Sequence, residues 1–258
     1  MNPSPVTWAD GALAAFDVES TGVDTDNDRV VTATVISIEP GSRPVVRSWL
    51  ADPGMEIPEQ ATEVHGISTE HAREHGRDAS TVVAEIAEVL AEVWTGTSPL
   101  CAFNASFDLS LLSAELRRHH QRPLDITGPV VDPMCIDKQV DRFRKGKRTL
   151  GALCEHHRVR LDDAHSSAGD SLACARLAWR LAKDYPEQIG TVDPGELHEQ
   201  QRGWYRTQQL GFADYLDRLA TGKDDQHEVE QLRRRATDVR SAADDWPLRT
   251  TASELAFD

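Results

Sequence analysis

Phe16-Asp17-Val18-Glu19-Ser20-Thr21-Gly22 closes an apolar stretch that begins at Ala12, and the rest of the chain is read outward from it. An apolar run ending in Ser-Thr-Gly reads as a buried strand entering a turn. Residues two apart on a strand share a face, so Asp17 and Glu19 stand side by side at its end. Adjacent carboxylates repel unless something cationic lies between them. A donor set made only of carboxylate oxygens suits a hard divalent ion, magnesium or manganese. Taken alone, the pair is also what an ordinary solvated turn looks like.

Two more acidic patches lie far along the chain. In FNASFDLSLLSAEL, Pro99 to Phe103 reads as a short buried strand, Asn104 as a turn or cap, and Phe107 to His119 as a helix. Leu109, Leu112 and Leu116 have the spacing of its buried face. Asp108 then falls in the first helical turn, where the helix dipole favours a carboxylate. In HSSAGDSLACARLAW, His165 precedes a helix that Ser166 or Ser167 would cap; Asp170 lies near its start, and Leu172, Ala175 and Trp179 form an apolar stripe. Each patch has a bland reading as a helix cap or surface residue. The order of the three does not: a strand acid pair, an Asp after a strand-to-helix turn, then His-x4-Asp opening a late helix.

That order resembles the DEDDh 3′→5′ exonucleases, the DnaQ-like group that includes the proofreading epsilon subunit of bacterial DNA polymerase III. The matching motifs are Asp17-Val18-Glu19-Ser-Thr21-Gly22, Asn104-Ala-Ser-Phe107-Asp108 and His165-x4-Asp170. Between them, Thr62-Glu-Val-His65-Gly66-Ile67-Ser68 is similar to the family's VHGI segment. Val131-Asp132-Pro-Met and Arg148-Thr-Leu-Gly-Ala-Leu-Cys154 resemble its later strand and the helix before the third motif. The likeness covers roughly residues 10 to 185. Phe103 departs from it, since many members place His before the Asn.

The resemblance implies an α/β, ribonuclease H-like fold: a mixed five-stranded sheet flanked by helices. It also implies release of nucleoside 5′-monophosphates from the 3′ end of single-stranded or frayed DNA, with RNA as the alternative. Two divalent cations, Mg²⁺ or Mn²⁺, would be held by Asp17, Glu19, Asp108 and Asp170, with His165 as the base. Val18, Thr21, Gly22, His65, Ile67, Asn104 and Phe107 would position the terminal nucleotide.

Leu13 to Phe16, Val30 to Ile38 and Val45 to Leu50 read as the first three strands, and Asp78 to Trp94 as a helix burying Val82, Ile86, Val89 and Val93. Asp24-Thr-Asp26-Asn-Asp28 has the look of a calcium loop. Arg29 and Val35 stand where an EF-hand needs Gly and Glu, so it reads as a polar hairpin loop. The pattern loosens from Asp184 to Gly195, which divides the chain into an exonuclease domain, 1–190, and a helical C-terminal appendage, 191–258. A chain ending near Ile189 would keep every site residue. The appendage is expected to pack as an amphipathic helix on the main domain or on a partner, a polymerase or another replication or repair protein, and Trp246-Pro-Leu-Arg to anchor the chain end.

The net charge of −15 excludes a nucleic-acid coat protein, whose affinity comes from a cationic surface. One basic run breaks the acidity: Arg142-Phe-Arg144-Lys145-Gly-Lys147-Arg148 carries five positive charges in seven residues. Arg144, Lys145 and Lys147 are the expected phosphate contacts beside the cleft. Cys101, Cys135, Cys154 and Cys174 are widely spaced and read as buried reduced thiols. No apolar run is long enough for a membrane span, and MNPSPVTWADG lacks the charged-then-apolar form of a leader. A cytoplasmic protein is expected.

Overall fold

The computed structural model describes residues 6–162 and 164–249. Three strands come first: β1 (Leu13–Ser20), β2 (Val30–Ile38) and β3 (Val45–Asp52), an antiparallel meander in which Asp17 pairs with Thr34 and Glu19 with Thr32. Helices α1 (Glu59–His65) and α2 (Thr69–His75) lead to a two-residue strand, β4 (Arg77–Asp78), which lies parallel to β3. Then follow α3 (Ala79–Val93), β5 (Leu100–Cys101), α4 (Ala105–His120), β6 (Val130–Val131), α5 (Pro133–Val140), α6 (Leu150–His157) and α7 (Ser167–Asp184). Long helices α8 (Pro194–Thr221) and α9 (Gln226–Ser241) close the chain.

The sheet order is β4-β3-β2-β1-β5-β6, mixed and flanked by helices as the resemblance implied. It has six strands where five were expected. The extra one, β4, is two exposed polar residues, too short to show any alternation.

Alternation along β1 separates the two layers of core. Ala14, Phe16 and Val18 face α3 and α4, while Ala15 joins the cluster containing Cys174, Leu177, Ala178 and Leu181 of α7. Asp17 and Glu19 have the parity of Ala15, so they point toward the α7 side. Of the stripe expected on α7, Ala175 is buried and Leu172 packs partly buried against the same cluster, while Trp179 is 42% exposed. The buried face of α7 is made of Ala173, Cys174, Ala175, Leu177, Ala178 and Leu181, small residues that let the helix approach the sheet closely. All four cysteines are buried and unpaired. Among the described residues, no helix is long and apolar enough to cross a membrane.

Helix α8 replaces a missing strand at the β6 edge. His198 Nδ1 accepts from the Val130 N–H at 3.0 Å, Gln201 Nε2 donates to the Val130 carbonyl at 2.9 Å, and Gln201 Oε1 accepts from the Asp132 N–H at 2.8 Å. Leu197 and Tyr205 from α8 and Trp246 beyond α9 enter the two main core clusters. The expected boundary at 190/191 falls just after a π-helical turn, Pro186–Gly190, but the packing continues across it. The expected anchor near the chain end is present: Trp246 is buried, and the Arg249 N–H donates to Ser110 Oγ at 2.8 Å.

Candidate active site

Three elements bring the carboxylates together. β5 ends at Cys101, and its pairing with β1 reaches only Ala14 and Ala15. Beyond that point, the β1 amides on this side have no strand to bond. The Val18 N–H is met instead by Asp108 Oδ1, 3.1 Å away in the first turn of α4. The strand's early end thus makes room for a helix-borne carboxylate beside Asp17.

Asn104 turns the chain into α4 through a left-handed conformation, φ 59°, open to Asn at little cost. Asp132 holds that turn: its carboxylate accepts from the N–H groups of Asn104 and Ala105, each at 3.1 Å, and also caps α5 through Met134 and Cys135. Phe107 packs partly buried against the core formed with α3.

Asp170 is placed by a hydroxyl ladder. Ser166 caps α7 by accepting from the Gly169 N–H at 3.1 Å. Ser167 Oγ lies 2.8 Å from Thr34 Oγ1, which lies 2.9 Å from Ser48 Oγ, and Ser171 Oγ donates to the Thr34 carbonyl at 3.3 Å. These bonds fasten the first turn of α7 across β2, opposite the acidic end of β1. One ligand atom each from Asp17, Glu19 and Asp170 then lies within 4.8 Å of the others. Asp108 is outside that triad, but its charge acts on Asp17. His165 sits exposed on the turn before α7 with φ 67°, and both its backbone and its ring favour the ionised form of Asp170.

The electrostatics are those of a cluster lacking counter-charge. Burial pushes the Asp17 carboxyl well up, and the charges of Asp108, Glu19 and Asp170 push it further. Asp108 and Asp170 are raised, mainly by burial. Glu19 is pushed up to about 7, first by burial and then by Asp170. Asp170 Oδ1 is buried without a hydrogen-bond partner. Clustered carboxylate oxygens, one of them unpartnered, fit a divalent cation of the magnesium or manganese type.

A stability measurement follows from Glu19. In EDTA the folded protein keeps a proton there that the unfolded chain releases near 4.5, so this contribution is full below about 4.5 and lost as pH rises through about 7. The melting temperature of the metal-free protein should fall across that window, and Glu19→Gln should flatten the fall. Identical slopes for the two proteins would show that Glu19 ionises freely.

Glu19 also borders a cleft of about 550 Å³ walled by Thr21, Gly22, Val23, Pro58, Val64 and His65. Thr21 Oγ1 donates to Asp28 Oδ1 at 2.8 Å and accepts from the Arg29 N–H at 2.9 Å, fixing that wall. Asp24 and Asp28 are spent similarly: Asp24 Oδ1 accepts from the Asp26 and Asn27 N–H groups, and Asp28 Oδ2 accepts from the Asp24 N–H at 2.8 Å. His65 Nδ1 accepts from the Ile67 N–H at 3.1 Å, and burial lowers its pKa. Ile67 itself packs against the small cluster of Val31, Ile57 and Ala72, away from the cleft lining.

The basic run divides in two. Arg144 and Arg148 turn inward onto Asp137, which is fully buried and also receives His157 Nε2 at 3.0 Å. Arg144 is therefore an anchor and not a phosphate contact; a buried carboxylate holds a guanidinium more strongly than open solvent does. Lys145 and Lys147 remain exposed. From the sequence Asp132 stands out only within a family-like segment, with no role of its own, and Asp137, Gln201 and the Ser/Thr ladder carry no role at all. The only available signal was Asp before Pro at 132–133, the form of a helix cap.

A family model described as "Exonuclease" matches residues 14–178. The DNA polymerase III of PolC type from Streptococcus pyogenes serotype M2 (strain MGAS10270) is 27% identical over 189 residues, 73% of this chain and 12% of that protein. Its counterpart from Latilactobacillus sakei subsp. sakei (strain 23K) is 26% identical over 188 residues, covering 71% and 12%. The chain thus spans about an eighth of the length of these curated relatives. Among solved structures, E. coli Exonuclease I in complex with a dT13 oligonucleotide aligns with TM-score 0.59 at 15% identity, over 69% of this chain and 42% of that one. Exonuclease I from Methylocaldum szegediense gives 0.55 at 18%, also over 69% and 42%. At such identities the likeness shows the fold.

Proposed function

The chain belongs to the Exonuclease family, in its DnaQ-like 3′→5′ group, and from that premise we propose that it releases nucleoside 5′-monophosphates from the 3′ end of single-stranded or frayed DNA. The carrying observation is the triad of Asp17, Glu19 and Asp170 within 4.8 Å, of which Glu19 also borders the cleft walled by Thr21, Gly22 and His65. DNA is favoured because the PolC-type relatives are named DNA polymerases and a structural neighbour was solved with dT13.

In this reading Asp17, Glu19 and Asp170 would hold one divalent cation, Mg²⁺ or Mn²⁺, and Asp17 with Asp108 would hold a second. The chemistry such a pair supplies when bound is neutralisation of the scissile phosphate and of the departing 3′ oxygen. The chain's own residues do the rest. Asp108 keeps one oxygen on the Val18 N–H, so its other oxygen is held at a fixed angle. Thr21, Gly22 and His65 receive the terminal nucleotide, with Val18, Ile67, Asn104 and Phe107 supporting the walls. His165 takes the proton of the attacking water at a ring nitrogen; it stands exposed on the turn that leads into α7.

The test is digestion of 3′- and 5′-end-labelled single strands of DNA and RNA, with magnesium, manganese or EDTA. Mononucleotide release from the 3′ end that needs metal and is faster on DNA is expected. Release from the 5′ end, or indifference to EDTA, would overturn the reading. In the same assay His165→Ala should slow turnover by roughly 10²–10⁴-fold while leaving the metal-induced rise in melting temperature intact. An unchanged rate would remove His165 from the chemistry.

A further inference from the structure

The segment between α5 and α6, residues 141–149, is a pinned loop with a cationic and aromatic outer face. Its inner side is stitched to the core. Arg144 reaches from Asp137 to the Lys147 carbonyl at 3.3 and 3.4 Å, and Arg148 reaches from Asp137 to the Asp141 carbonyl at 2.6 Å. Gly146, with φ +102°, makes the bend that an L side chain would resist. With those arginines spent inward, Arg142, Phe143, Lys145 and Lys147 are left facing solvent. Phe143 is 89% exposed, and the Arg142 guanidinium stands 5.9 Å from its ring centre.

Single exposed apolar residues are common and need no explanation. Phe143 differs because cations stand on both sides of it, in a chain of net charge −15, on a loop held in shape from beneath. An aromatic ring between cations on a fixed loop is the chemistry that grips a single nucleic-acid strand: the ring stacks on a base and the cations meet phosphates. The loop also precedes the third motif in the chain. It runs into the start of α6, where Gly151 faces Leu161, on the segment that leads to His165.

We propose that residues 141–149 grip single-stranded DNA upstream of its 3′ end, Phe143 stacking on a base while Arg142, Lys145 and Lys147 contact phosphates. The inference rests on the reading of the cleft as the seat of the 3′ terminus, and it adds a second foothold that only longer strands can reach.

The experiment uses the full chain, with Phe143→Ala, Phe143→Trp and the double variant Lys145→Ala/Lys147→Ala. Binding is read in EDTA, where hydrolysis does not interfere, by fluorescence anisotropy of a 5′-labelled oligo-dT of about twenty nucleotides, longer than the ~4–16 that one single-strand site occupies. A fully abasic strand of the same length runs in parallel. Phe143→Ala should weaken oligo-dT binding by about fivefold or more and leave the abasic strand unaffected, and Phe143→Trp should restore it. The double lysine variant should weaken both strands and flatten the salt dependence by about 0.7 for each phosphate that a lysine no longer neutralises. Hydrolysis of a trinucleotide should be unchanged in all three.

Phe143→Ala binding both strands like wild type would overturn the stacking on a base, and an unchanged salt slope in the lysine variant would overturn the pairing with phosphates. Loop-dependent binding by a wild type that hydrolyses no strand with metal would sink the exonuclease reading and keep the grip. Trinucleotide hydrolysis by a wild type with no affinity for the long strand would do the reverse.

Discussion

Asp17→Asn is expected to lose essentially all turnover while melting higher than the wild type in EDTA. The two effects have one cause. Asp17 is raised by burial and by the charges of Asp108, Glu19 and Asp170 together, so the metal-free fold carries a repulsion that Asn removes at nearly constant volume. The same substitution takes a donor from the triad whose oxygens lie within 4.8 Å. Excess Mg²⁺ or Mn²⁺ should therefore raise the wild-type melting temperature, because a ligand that binds only the folded state stabilises it by mass action. It should hardly move the variant. Thermal melts with and without metal, paired with end-labelled strand digestion, check both. A variant that keeps wild-type turnover, or that melts lower in EDTA, would remove the carboxylate cluster from the mechanism.

The second large effect is on folding. Truncation after Ile189 keeps every proposed site residue, and from the sequence such a chain should retain its site. The structure leads to the opposite expectation: the truncated chain should not fold cooperatively at room temperature. It loses Leu197, Tyr205 and Trp246 from the two main core clusters, and burying side chains of that size is worth about 1.5–3 kcal/mol each. It also loses His198 and Gln201, the partners of β6. Together these approach the about 5–15 kcal/mol that stabilises a whole domain.

Gln201→Leu isolates the polar part. It leaves the Asp132 N–H and the Val130 carbonyl facing an apolar group, at about 1–3 kcal/mol for each orphaned partner. Its melting temperature should fall, and turnover should follow the folded fraction. Circular dichroism melts of both variants decide this. A truncated chain with a sharp, wild-type-like melt would show that residues 191–258 are a separable appendage.

Much of this molecule is written locally. The alternation of Ala14, Phe16 and Val18 against Ala15 and Asp17 marks the strand and the face on which its acids emerge. The apolar period from Val82 to Leu90 marks α3. The chain order of Asp17, Glu19, Asp108, His165 and Asp170 marks the family. These features are legible because strand and helix periods are properties of adjacent residues, and because a polar residue interrupting such a period stands out.

What the tertiary structure alone decided is how polar side chains pair across long separations. Arg144 reads as a phosphate contact until Asp137 is seen buried beneath it. Trp179 reads as core until the small residues on the other side of α7 prove able to come closer to the sheet. Ser167 and Thr34 are inconspicuous in sequence, yet their bond helps set Asp170 against Asp17. β6 is two residues long and is completed by Gln201, some seventy positions later. No periodicity announces such partners. A buried hydrogen bond or ion pair is fixed by which groups are left without water when the layers close, and that is known only once they have closed.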